Sequence, residues 1–320
     1  MTMDGKLATQ PSGITASAGG DATTSPVDPP RSSSPSGPVP GSGMDIVRPP
    51  AYGRGIVVSL ASAAAVLALA IMASGGHAKS TGTPLSETTG PLFWGLAVIV
   101  IALTAIGAQF SEFTAAKAAE SLGATRKVGR LPTAWAVPLV AETAAILLVA
   151  TYHNRLMLVA GPVLAFLGVT FALLARDLLD DATDLTKRTA TMVHTLVIHC
   201  VAFFALGGVY LNKMSGFKSA PLAAILGGIL ILEALERGEL DLVRRIGYAV
   251  LGAFVLGEAT LAINWWPTHG WTGGAALLVC FFAVNGVLVA QTERGKLTRN
   301  DLIEYGLVSA VGLVILALTL

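Results

Sequence analysis

Charge is what this 320-residue chain has least of: 13% of its residues are charged, against about a quarter in an ordinary soluble domain. So few charges cannot solvate a surface facing water on all sides. The net charge of +1 excludes a global field that would draw the chain to nucleic acid. Cysteine is almost absent. Cys200 and Cys280 are the only two, each inside an apolar run, which excludes a disulfide framework and the spacing of a zinc site. Both are expected to be small core residues. Walker loops, nucleophile elbows and H-E-x-x-H motifs are missing as well, so the familiar catalytic chemistries have no support.

What is present divides near residue 54. Residues 1–50 are rich in Ser, Thr, Gly and Pro, including Pro29-Pro30 and Pro49-Pro50. Such a segment buries too little apolar surface to offset ordering entropy, so a disordered tail is expected there. Its first thirty residues hold no apolar stretch of the kind a cleavable secretory signal needs. From residue 51 onward a single membrane domain is expected. Its apolar runs fall at 55–74, 91–110, 132–152, 155–175, 190–211, 219–235, 246–266, 271–290 and 304–320. A spanning helix needs about twenty apolar residues, and the sixth and ninth runs are the short ones. Open strands cannot satisfy their backbone groups in lipid, and the runs do not alternate as barrel strands do. The fold class is therefore all-α: a polytopic transmembrane helix bundle of about nine spans.

Basic residues support that count. With the tail inside, 17 of the 21 Lys and Arg residues fall on cytoplasmic segments, and Lys79, Arg155, Lys213 and Lys218 fall outside. The loops alone divide 13 to 4, as positive-inside topology requires. Trp94, Tyr152, Tyr210, Trp265, Trp266 and Trp271 lie near the outer ends, as an interfacial belt would. A cell-membrane protein with a cytoplasmic N-terminus and an external C-terminus is expected. A faint internal echo accompanies the topology. Ala141-Glu142-Thr143 in the third run corresponds to Gly257-Glu258-Ala259 in the seventh, and Leu185-Thr186-Lys187 to Leu297-Thr298-Arg299, at offsets of 116 and 112 residues. A parallel four-helix repeat would produce this.

The stretch Glu258-Ala-Thr-Leu-Ala-Ile-Asn264-Trp265-Trp266-Pro267, with Leu297-Thr298-Arg299 and Glu304-Tyr305, resembles a group of bacterial multi-pass membrane proteins classed only as a domain of unknown function. The resemblance covers roughly the last hundred residues. It implies a fold type and no chemistry.

Polar residues within the apolar runs are the candidates for function. A charge at a helix centre costs about 2.5–3.5 kcal/mol on insertion scales, so Glu142 and Glu258 must be protonated, paired or hydrated. Pro138, one turn before Glu142, is expected to kink the third helix and free carbonyls beside it. His199 and Asn285 reach into the fifth and eighth runs. His194 and His199 are five residues apart, about 140° around a helix, and so make no i,i+4 metal pair. Either these groups form a proton or ion relay or a substrate site, or they are interhelical glue.

Asp177, Asp180, Asp181 and Asp184 follow the fourth run at i, i+3, i+4 and i+7, one stripe if the helix continues. Such carboxylates could hold Mg²⁺ and through it a diphosphate. The spacing is similar to the first aspartate motif of intramembrane prenyltransferases, which also have nine helices. Here, however, the aspartates follow the fourth helix rather than the second, and the second aspartate motif is replaced by Glu233, Glu236, Glu239 and Asp241 at other spacings. Otherwise these acids form a solvated face paired with Arg176, Lys187 and Arg188.

Three readings remain: a small-molecule or ion permease or accessory membrane protein using Glu142 and Glu258; a membrane enzyme acting on a diphosphate-bearing lipid; and a scaffold. The lipid bilayer is the one partner implied by composition; nucleic acid is not, and the small molecule, ion or protein partner is open. No cofactor is expected outside the enzyme reading. A topology reporter fused after Leu320 should be active only outside the cytoplasm; activity inside would remove one span from the count.

Overall fold

The apolar runs become helices because each closes its own backbone hydrogen bonds. The computed structural model describes residues 52–75, 89–121, 132–152, 154–180, 185–212, 214, 216–237, 240–266 and 270–318; the tail expected over 1–50 lies outside them. The helices are α1 (Tyr52–Gly75), α2 (Pro91–Ser121), α3 (Ala136–Tyr152), α4 (Met157–Asp180), α5 (Lys187–Leu211), α6 (Gly216–Ala234), α7 (Leu242–Trp265), α8 (Trp271–Arg294) and α9 (Arg299–Leu318), with a 3₁₀ turn at Leu235–Arg237. Among the described residues there are nine α-helices and no strand. Eight of the nine are long and apolar enough to cross a membrane, and the protein is a multi-pass helical bundle.

The short helix is α3, at 17 residues, rather than the sixth or ninth. Pro132–Trp135 forms a turn instead of helix, closed by Ala136 N–H to Thr133 O at 2.8 Å and Trp135 Nε1–H to Pro132 O at 3.1 Å. Pro138 therefore stands in the first turn of α3, where its missing donor breaks no bond, and the kink expected beside Glu142 does not arise. In the other direction, α2 runs to Ser121, eleven residues past the expected end. Its extension, Ser111-Glu-Phe-Thr-Ala-Ala-Lys-Ala-Ala-Glu-Ser121, is rich in strong helix formers. Helix α8 stops at Gly295, whose φ of 67° is the left-handed conformation of a glycine C-cap.

Helix α3 is the axis of the bundle. Thirteen of its 17 residues are buried. Ala145, Ile146 and Val149 face α1, α2 and α4 in one apolar cluster, which includes Val66, Leu69, Phe93 and Ala165. Ala141, Ala144 and Leu147 face a second cluster built on α5, α6, α7 and α8. Close approach depends on small residues, as is usual between membrane helices. A Cβ at Gly168 of α4 would stand 2.9 Å from Ala141 Cβ, and one at Gly161 would stand 2.4 Å from a Val149 methyl. Helix α6 packs along α7, and α9 lies against α8, where Tyr305 crosses Gly286 and meets Phe282 edge-on at 5.8 Å.

One expectation fails at this level, and the two echoed helices differ in setting. Cys200 is exposed on α5 and Cys280 only partly buried, so they are not a matched pair of core residues. The third and seventh helices, echoes of each other in sequence, occupy different environments. Helix α3 is enclosed, whereas α7 buries one stripe (Arg245, Ala249, Gly252, Leu256, Thr260, Ile263) and exposes the opposite face.

Gly168→Val should part α3 from α4, because Ala141 has no flexible end to move aside. A loss of about 1–3 kcal/mol is expected from overpacking, read as a lower unfolding midpoint of the purified protein in detergent.

Candidate functional site

Two polar levels occur inside the bundle. The first lies where α1 and α3 face each other. Glu142 is wholly buried, and one of its carboxylate oxygens accepts a hydrogen bond from the Ser62 hydroxyl. Its other oxygen has no hydrogen-bond partner. Thr143, beside it in sequence, turns its hydroxyl back to Leu139 O at 2.8 Å. On one side of Glu142 lies the α1–α4 apolar cluster; on the other, Val58, Ala108, Val169 and Leu173 form a separate apolar layer.

One turn beyond Leu173 and Ala108 lies the second level, an ionic node at the end of the bundle where α1 begins. Arg176 of α4 is its centre and is 7% exposed. Its Nη1 donates to Glu233 at 2.7 Å and sits 2.8 Å from Glu236, while its Nε lies 3.6 Å from Glu112 of α2. His194 of α5 places Nε2 3.5 Å from the same Glu233 oxygen. The Thr133 hydroxyl donates to Glu236 at 2.6 Å and accepts from Arg245 of α7 at 3.2 Å. Arg245 also donates Nε and Nη2 to Leu232 O, at 2.9 and 2.8 Å. Charge from α2, α4, α6, the 3₁₀ turn and α7 thus meets in one buried place, with His194 of α5 and Thr133 beside it.

The residues singled out from sequence are not gathered together. Glu258 is exposed on the outer face of α7, while Glu142 is enclosed, so the two carboxyls do not share an interior. His199 sits edge-on to Phe281 at 5.3 Å, with Nδ1 2.7 Å from Thr195 O; its Nε2 has no hydrogen-bond partner. Asn285 is buried in α8 with its Oδ1 unpartnered. Of the four aspartates, Asp177 and Asp180 lie half-buried at the end of α4, while Asp181 and Asp184 lie outside the described residues, as does Glu239. Arg176 does not pair as expected within its own loop; Glu233 and Glu236 of the second acidic patch take it instead and belong to the ionic node. Among the described residues no cluster of His, Cys, Asp and Glu is arranged to hold a metal ion.

Sequence reasoning missed Glu112 altogether. The signal was there: the buried face of α2 runs through Ala97, Thr104, Ala108, Glu112 and Ala115, and the same helical period carried past residue 110 reaches Glu112.

A family model described as a protein of unknown function, DUF5656, matches residues 76–319. The chain belongs to this family, and the match extends well beyond the last hundred residues that carry the resemblance. No curated protein and no solved structure matches significantly.

Removing Arg176 would leave three carboxylates without their shared partner. Arg176→Ala should cost about 3–5 kcal/mol, as breaking one side of a buried ion network does, and should be visible as a large fall in the thermal midpoint in detergent.

Proposed function

We propose that this member of the family is a permease that moves a small solute or ion across the cell membrane together with protons, with Glu142 as the proton carrier. The observation that carries the reading is the state of that carboxyl. It is fully enclosed, held by one hydroxyl, and its second oxygen lacks a hydrogen-bond partner. Intramembrane carboxyls of this kind mark proton relays and substrate paths. The apolar layers on either side support an occluded conformation, in which water reaches Glu142 from neither direction. In this reading, the N-terminus and the ionic node are cytoplasmic, and the node holds that end shut: α2, α4, α6 and α7 cannot separate there without parting Arg176 and Arg245 from their partners. Loading and release of the proton then require the Val58–Ala108–Val169–Leu173 layer to open, with α1 and α4 moving against α3.

The prenyl-transfer alternative gains nothing comparable, since Glu233 and Glu236, the would-be second motif, are taken up by Arg176 and Thr133. The accessory-protein reading draws on the same two glutamates, of which Glu258 lies on an outer face.

Reconstitution into vesicles carrying a pH-sensitive dye tests the proposal. Imposed gradients of a panel of amino acids, sugars and monovalent cations should drive proton movement above the protein-free rate for at least one solute. Glu142→Gln keeps shape and hydrogen bonding, and should fold normally while returning that rate to the protein-free level. Wild-type vesicles indistinguishable from empty ones across the panel, or a Glu142→Gln variant with full proton movement, would remove this reading.

A further inference from the structure

The exposed face of α7 has an order that follows from its residues. Arg244, Gly247, Leu251, Phe254, Glu258, Leu261 and Trp265 are spaced 3, 4, 3, 4, 3 and 4 residues apart, and all seven are exposed. Successive steps of three and four are the a/d repeat of a left-handed helix pair, the common geometry of membrane helix packing. In this register Arg244, Leu251, Glu258 and Trp265 take the a positions, and Glu258 is the one polar residue of the seam beyond the first turn of the helix. It makes no hydrogen bond or ion pair among the described residues, about 10 Å along the helix from Trp265 at 1.5 Å per residue. A face of Leu, Phe and Trp alone would suit lipid. A carboxyl within it does not, because hydrocarbon offers it nothing to bond.

We propose that this face of α7 is the contact of a homodimer, in which Glu258 hydrogen-bonds to Glu258 of a second copy across a two-fold axis. Two features select a second copy. First, copies inserted in one membrane share an orientation, so their α7 helices run parallel about an axis along the membrane normal. In a parallel pair, each a position meets its own counterpart, which sets the two Glu258 side chains face to face. Second, a carboxyl is its own complement: with a proton between them, one group donates where the other accepts. The chain offers no better match, as no lysine or arginine lies at this depth in any apolar run. Gly247 shares the seam, and a Cβ there would meet nothing within the protein, leaving room for close approach by the partner helix. A single polar a-position residue fixes register and oligomeric state in soluble pairs, and Glu258 has that place here.

Cysteine cross-linking in native membranes tests this directly, on the full chain with Cys200 and Cys280 replaced by alanine. Phe254→Cys and Leu261→Cys should each give a disulfide-linked dimer, whereas Leu103→Cys on the exposed face of α2 should not. In detergent, Glu258→Leu should shift the protein from dimer to monomer by at least tenfold in dissociation constant. Glu258→Gln, whose amide both donates and accepts, should keep the dimer. Monomeric wild type, equal cross-linking at all three positions, an unchanged dimer in Glu258→Leu, or cross-links only to a different protein would each overturn the proposal.

Discussion

Hydrocarbon supplies no hydrogen-bond partner, and every polar group within this bundle is placed under that constraint. The backbone meets it by helix formation. The hydroxyls of Ser59, Thr143, Thr151 and Thr260 meet it by turning back to the carbonyl four residues earlier, at 2.6 to 2.9 Å. Charged groups cannot meet it alone. Glu142 and Glu258 apart, they collect into the Arg176 node, where two guanidiniums face the carboxylates of Glu112, Glu233 and Glu236, and where Leu232 O takes up donors of Arg245.

That node also organises the chain. Its members come from the ends of α4 and α6 with the 3₁₀ turn that follows, the far half of α2, the opening third of α5, the start of α7 and the turn before α3. They can meet only if the helices alternate in direction, so the network and the up-and-down topology require each other. The opposite end of the bundle is held by different means: Phe93 packs into the apolar cluster with Val66, Leu69 and Ile146, and Trp271 of α8 stacks on Phe203 of α5 at 5.4 Å. One end is locked by charge and the other by rings, apolar packing and neutral hydrogen bonds such as Asn264 Nδ2–H to Ser219 Oγ at 2.8 Å.

The nine helices were legible because a membrane span is written as a long apolar run and its loops as basic residues. Ends were less so: the alanine-rich extension to Ser121 and the turn at Pro132–Trp135 depend on local bonding that hydropathy does not register. The faces were not legible at all, for a physical reason. A soluble helix separates core from solvent by polarity, but lipid and core are both apolar, so the period that reports an inward face is nearly erased. Glu142 and Glu258 sit in similar apolar surroundings in sequence, yet one is enclosed and the other faces outward. Glu112 and Arg176 could be paired only in three dimensions, since the 63 residues of intervening chain carry no sign of it.

Helix α3 is short, at 17 residues, and almost every side is covered by other helices. A helix that does not touch lipid is free of hydrophobic mismatch, so its length answers to its neighbours and not to the bilayer. Changes in acyl-chain length or sterol content press on the lipid-facing helices, α2 and α9 above all, which can tilt to absorb them. Glu142 is carried by the one helix insulated from that adjustment. Its depth is set by the protein's own frame, and membranes of different thickness leave its surroundings the same.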